Sequence, residues 1–229
     1  MLQLLTGPAT LSAEAAMGDT GERPVNKLGH RIGRRGGRTR DALLGAARGL
    51  LETHKLADLR PADIARAAGV SAPSFYTYFK TVDEPVLALC EAAGAPYQGL
   101  AALFDADWSG ERAFEQARAY VLAVVDIWAE HGPVLRIENA LADEGHDAFA
   151  RERIRRLRRV HLAIERRIAE ARVNGRHDPR LDARLASYEA ASMVDSVAAG
   201  LRLMQRGDTP LEAVIDTTAL LFAKLVTGR

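Results

Sequence analysis

What the 229-residue chain lacks narrows its possibilities first. It has one cysteine, Cys90, which excludes an internal disulfide and a zinc site built from several thiolates and fits a reducing cytoplasm. Aromatic residues are only 6% of the chain, and alternating β-branched runs are scarce while Ala, Leu, Arg and Glu dominate. That composition points to an all-α protein. Long apolar runs are also wanting: the Met-Leu-Gln-Leu-Leu start is too short for a signal-peptide core, and no window approaches a membrane span. A soluble, cytoplasmic protein is expected. Metal-ligand spacings, nucleophile elbows and phosphate loops are absent, and His131, His146 and His161 have no partner four residues away. No catalytic residue, metal site or cofactor is therefore assigned, and an enzyme acting on an apolar metabolite is kept only as a remote alternative.

Charge is nearly balanced, at a formal +1, but unevenly spread. From Arg23 to Lys80 there are 12 Lys or Arg against 4 Asp or Glu, a local +8 that leaves −7 for the rest. A basic head on an acidic body is the electrostatic footprint of a nucleic-acid-binding module joined to something else.

Within that head, residues Pro61 to Lys80 read as two short helices and a tight turn. Proline in the first turn forfeits an N–H that has no helical acceptor anyway, and Ile64, Ala65 and Ala68 form a buried face. Gly69 supplies the left-handed residue that stops the helix, and Val70 plugs the angle that follows. Ser71 is placed to cap a second helix from Ala72, its hydroxyl accepting an orphan N–H. Phe75 and Phe79 face inward; Ser74, Tyr76, Thr77, Tyr78 and Lys80 are left to meet phosphates and base edges. Packing is the ordinary role of paired tyrosines on a short helix, but the order of signals here favours a helix-turn-helix.

The run Asp63-Ile64-Ala65, Ala68-Gly69-Val70-Ser71 and Tyr76-Thr77-Tyr78-Phe79 resembles the DNA-binding domain of the tetracycline-repressor (TetR) family, in register over about a dozen positions. The resemblance implies that Ser71, Ala72, Pro73, Ser74, Tyr76, Thr77, Tyr78 and Lys80 contact DNA, with Arg60 at the start of the preceding helix and Arg38 and Arg40 from a basic arm. Three departures stand out: Arg60 replaces the usual Ser or Thr cap, Lys55 the glycine that often ends the first helix, and Val82 a lysine that usually follows the Phe. Lys80 could supply a substitute charge.

Around this core the chain divides into a disordered basic arm (1–37), a helix-turn-helix domain (38–82) and a helical ligand-binding and dimerisation body (83–229). The arm is rich in Gly, Pro and charge, and Arg31, Arg34 and Arg35 lead into Arg38 and Arg40, a pattern that suits minor-groove contact. Thr39 should cap the first helix, with Leu43, Leu44, Ala47, Leu50 and Leu51 as its buried stripe. A fourth helix starts near Val82 and breaks near Gly94-Ala95-Pro96. In the body, one helix should begin near Ser109 and end at Gly132-Pro133, the next should run from His146 to Val173 with Phe149, Ile154, Leu157, Val160, Ile164 and Ile168 inward, and two more follow from Pro179 and Pro210. Thr209 to Glu212 reads as a capping box. The six arginines from Arg151 to Arg159 are weighed as an anion site, such as one for an acyl-CoA, against a solvated helix face, and the face is favoured.

The expected protein is a homodimeric regulator, a repressor rather than an activator, released from a palindromic operator by a small apolar or amphipathic effector. The resemblance implies that the last two helices of each subunit form a four-helix bundle and that the effector lies in the body. Candidate ligand residues are Tyr120, Trp128, Glu138, Asn139, His161 and Tyr188. The main alternative is a regulator without a small-molecule switch, controlled by abundance or a protein partner.

Overall fold

A computed structural model describes residues 34–204 and 209–229, all of them helix, turn or coil. The first 33 residues, Arg31 and most of the expected arm among them, lie outside the described residues. Nine α-helices are present among the described residues: α1 (Arg34–Leu51), α2 (Pro61–Ala67), α3 (Ala72–Tyr78), α4 (Asp83–Gly94), α5 (Tyr97–Leu100), α6 (Arg112–Asp143), α7 (Asp147–Val173), α8 (Ala183–Met204) and α9 (Leu211–Thr227).

Helices α1 to α3 close on a small core of Leu43, Ala47, Ile64, Ala65, Phe75 and Phe79. Helix α1 begins five residues before Thr39, so Thr39 is inside it rather than at its cap, and residues 34–37 are helical rather than part of an irregular arm. Asp63 accepts the Arg60 backbone N–H at 3.3 Å, which satisfies that donor without the usual Ser or Thr. Gly69 has φ +68; the Val70 N–H then reaches back to the Ala65 carbonyl at 2.9 Å and turns the chain into α3.

The body surrounds a larger core. Leu51 and Leu59 from the head belong to it, and Leu50, Val82 and Leu89 pack against both cores, so α4 is shared between head and body. Arg48 of α1 also donates to the Glu130 carbonyl of α6 at 3.0 Å. The helical run Asp83–Asp105 passes for a membrane span by length and composition, contrary to the expectation that no window would. It packs against α1, α6 and α7.

Two other boundaries and one helix face differ from expectation. Gly132-Pro133 does not end its helix: α6 continues for 32 residues through Pro133, because Val134 and Leu135 beyond it are buried and tertiary packing outweighs the lost hydrogen bond. Thr209 caps nothing; Pro210 occupies the N-cap of α9 with no side-chain hydrogen bond. Ile154 is 65% exposed, whereas Arg156 and Glu152 of the same helix are buried. The arginine run is thus not simply a solvated face. The break after α4 falls at Gly94, as the Gly-Ala-Pro sequence dictates.

Phe104, Trp108, Tyr120 and Phe222 form one aromatic cluster, with Tyr120 and Phe222 stacked at 4.9 Å and Phe104 and Trp108 at 5.1 Å. Arg118 fastens α6 to α9 through Asp216 at 2.7 Å and through Glu212. On the outer side of the α8–α9 pair, Leu185, Leu203, Leu220, Leu221 and Leu225 are exposed.

Candidate nucleic-acid interface and ligand cleft

Helix α3 is only two turns long, and each turn divides into an inward and an outward side. Phe75 is fully buried, its ring 5.7 Å from that of Phe79. Ser71, Pro73, Tyr76, Thr77 and Lys80 are exposed, while Ala72, Ser74 and Tyr78 are half-buried. Ser71 stands at the N-cap, but its hydroxyl meets that of Ser74 at 2.8 Å instead of taking a backbone N–H. Both hydroxyls are thereby held together at the helix start. Arg38 and Arg60 are exposed; Arg40 is half-buried, with its guanidinium 5.6 Å from the Phe79 ring centroid. Val82, the departure from the family pattern, packs into both cores and faces no solvent-borne phosphate. The Lys80 N–H is taken by Glu84 at 2.7 Å, which fixes the chain just after α3 and leaves the lysine side chain outward. Glu84 was not legible as part of this device, because only the fold brings its carboxylate to that amide.

The body holds two features that sequence spacing does not reveal. The first is a buried polar centre around Arg156, a side chain with no exposure. Its Nε meets Glu138 Oε2 at 2.7 Å, one Nη meets Asn139 at 3.2 Å, and the other lies 3.7 Å from Asp195. Asp195 also accepts from the Tyr97 hydroxyl at 2.9 Å and the Trp128 indole at 3.2 Å. The Arg156 guanidinium sits 4.8 Å from the Tyr97 ring centroid. Helices α5 to α8 thus meet at one arginine, and α4 touches it too: a Cβ on Gly94 would come within 3.3 Å of the Arg156 side chain.

Burial sets the electrostatics here. It pushes the Glu138 carboxyl above its ordinary range even though Arg156 pulls the other way. Burial also opposes charge on Arg156, but Glu138, Tyr97 and Asp195 outweigh it and keep the guanidinium charged. The Cys90 thiol beside this centre is pushed far up, by burial first and then by Glu138 and Glu152. Such a thiol is inert rather than nucleophilic.

The second feature is a cleft between α7 and α8. An outer chamber of about 720 Å³ is walled by Ile154, Leu157, Leu162 and Tyr188, with Arg158, Glu165 and Arg184 around it. A smaller inner chamber of about 130 Å³ is lined by Asn139, Ser192, Asp195 and Ser196. Arg153, Leu157, His161 and Ser192 border both. The outer volume is of the size that holds a small molecule. His161 and Tyr188 pack ring to ring at 4.3 Å, and His161 Nδ1 is buried with no hydrogen-bond partner. Burial lowers the His161 pKa, partly offset by the Ser187 backbone.

Of the six candidate ligand residues, Asn139, His161 and Tyr188 line the cleft. Tyr120 does not, being consumed by the aromatic cluster, nor do Trp128 and Glu138, whose polar atoms serve Asp195 and Arg156. Arg156 and Asp195 were the residues missed. An acid amid the alanines of α8 was the one available signal.

Comparison with known proteins bears on both halves of the chain. Residues 100–229 match the family model described as tetracyclin repressor-like, C-terminal domain, and residues 43–89 match that of bacterial regulatory proteins, tetR family. The HTH-type transcriptional regulators EthR of Mycolicibacterium smegmatis and Mycobacterium tuberculosis are each 41% identical over 64 residues. That stretch is 28% of this chain and spans only 30% of their length. Among solved structures, the fatty acid degradation regulator FadR of Bacillus halodurans superposes with a TM-score of 0.60 at 19% identity, covering 81% of this chain and 94% of its own. FadR of Bacillus subtilis in complex with stearoyl-CoA gives 0.60 at 16% identity, covering 82% and 98%. These structural likenesses establish the fold, a helix-turn-helix head on a helical body.

Proposed function

Since the chain belongs to the tetracycline-repressor family of bacterial transcriptional regulators, we propose that it is a homodimeric, ligand-responsive repressor of a palindromic operator. Two α3 helices, one from each subunit, would enter successive major grooves with half-sites separated by about one helical turn or a multiple. Ser74, Thr77 and Tyr78 would face base edges, and Tyr76, Lys80, Arg38, Arg40 and Arg60 would hold the phosphate backbone. The head would comprise residues 38–82 and the effector-binding and dimerisation body residues 83–229.

The observation that carries this reading is the position of α4. Val82 at its N-cap and Leu89 midway along it pack with the head core, and its last residue, Gly94, lies against Arg156. Arg156 in turn bonds Asn139 and faces Asp195, both of which line the inner chamber of the cleft. An effector seated between α7 and α8 would favour one arrangement of these side chains, shift α4 with them, and so select a head spacing that no longer fits the operator. Asn139, His161 and Tyr188 are the ligand contacts proposed.

The test is an operator-release assay on the purified chain. A compound that binds the cleft should lower operator affinity, and Tyr188→Ala, which alters the cleft wall without touching the Arg156 centre, should blunt that response. A regulator governed by abundance or a protein partner would bind the same operator and respond to no compound.

A further inference from the structure

Helices α7 and α8 run antiparallel along the cleft, since His161 meets Tyr188 and Arg156 meets Asp195. That register sets Glu165 level with Arg184 on the outer chamber. The inner chamber likewise has one acid and one base on its wall, Asp195 and Arg153, and Arg153 is already held by Asp143 at 2.7 Å. Arg158 is exposed and keeps its hydration. An ion of either sign would meet a like charge beside each opposite one, and would give up its own hydration for no net attraction. The cleft therefore disfavours charge.

Hydrogen bonding, by contrast, is unequal across it. The outer chamber is walled by Ile154, Leu157, Leu162 and the Tyr188 ring. In the inner one, Asp195 Oδ1 takes both the Tyr97 hydroxyl and the Trp128 indole. Its Oδ2 accepts no hydrogen bond among the described residues, lying 3.7 Å from Arg156, and the side chain keeps 18% exposure. Asn139 accepts from Arg156 through its oxygen, which leaves its amide N–H groups to donate. Ser192 and Ser196 add hydroxyls to the same wall.

Resting on the reading of the body as an effector-binding unit, we propose that the effector is an uncharged alcohol: its apolar body fills the outer chamber, and its hydroxyl enters the inner one, donating to Asp195 Oδ2 and accepting from Asn139 or a serine. A hydroxyl does both at once. A ketone or an ester only accepts and leaves the Asp195 oxygen without a donor, while a carboxylate sets its own charge against that oxygen. The bond to Asp195 is charge-assisted, which gives the head its orientation. The apolar walls give affinity by excluding water from the body of the ligand. The two volumes, about 720 and 130 Å³, divide body from head in the same way.

The probes are 1-octanol, 2-octanone, octanoate and octylammonium, equal in length and different in head, titrated without DNA into the purified full chain and followed by calorimetry and by tryptophan fluorescence. Trp128 reports because its indole is bonded to Asp195 at the inner chamber. Octanol should bind about tenfold more tightly than octanone or better, the size of effect that a hydrogen bond to a charged group gives, and more tightly than either ion. Asp195→Ala removes the acceptor but also disturbs the Arg156 centre, so the deciding variant is Ser192→Leu, which narrows the neck between the chambers from an exposed position. It should keep its helical circular dichroism and bind octanol and octanone alike. Equal binding of those two by the unaltered chain, tighter binding of either ion, or a preference that survives Ser192→Leu overturns the proposal. If none of the four binds while another compound releases the operator, this inference fails and the ligand-responsive reading stands. If octanol binds with the expected preference but operator affinity does not move, the alcohol site stands and that reading fails.

Discussion

Arg156 and Glu138 form an ion pair at 2.7 Å in which neither side chain has any exposure. A charge pair so far from water contributes little net stability, but losing one partner strands the other. Arg156→Met should therefore destabilise the chain by about 3–5 kcal/mol, read as a lower urea midpoint. Arg156→Met/Glu138→Leu should recover part of that loss, leaving Asp195 as the remaining unbalanced charge. A double variant as unstable as the sum of the two singles would show that the residues act separately.

Gly69 and Gly228 both have positive φ, +68 and +75, yet only one is crowded. A Cβ at Gly69 meets nothing within 4 Å, while at Gly228 it would lie 2.4 Å from the Arg176 carbonyl oxygen. Gly69→Ala should cost about 1 kcal/mol, the left-handed penalty alone. Gly228→Ala must also displace backbone, and its loss in thermal stability should be clearly the larger.

Cys90 is fully buried and its thiol pKa is raised. Native protein should resist a thiol reagent, and labelling should appear only as the chain unfolds. The pH dependence has a definite sign: above the ordinary thiol pKa the unfolded chain releases a proton that the folded one keeps, so stability falls as pH rises past about 9. For His161, whose folded pKa is lowered, the unfolded chain binds the extra proton, and stability falls as pH drops below about 6.5.

Leu220, Leu221 and Leu225 share one exposed stripe of α9. Leu221→Arg should give monomers by light scattering if that stripe is the dimer face; an unchanged dimer would place the interface elsewhere.

The head was legible because its signals are local. Gly69, the Ser71 position and the Phe75/Phe79 spacing each state a backbone or packing requirement within a few residues. The long body helices were legible, but the short α5 was not, and Pro133 misled because buried Val134 and Leu135 hold a helix together across it. The site in the body was half-hidden for a different reason. Periodicity says that Arg156 and Asp195 face inward only if one accepts charges there, and their partners, Glu138, Tyr97 and Trp128, come from other helices. Tyr120 looked like a ligand contact for its hydroxyl; its ring was needed against Phe222.

On the recognition surface, Tyr76 is 46% exposed, and Tyr76→Phe should weaken binding to every operator alike if the hydroxyl meets phosphate. Substitutions at Ser74 or Thr77 should instead change which sequence is preferred. Identical losses on all operators from all three positions would contradict that division of roles.

The central claim is sequence-specific DNA binding by the head, and fluorescence anisotropy with DNA tiled across the regions flanking the chain's own gene, at two salt concentrations, tests it most directly. The account predicts tight binding to one palindromic tile, weakened by salt yet still well above binding to random DNA. Weak binding, indifferent to sequence across every tile, would contradict it.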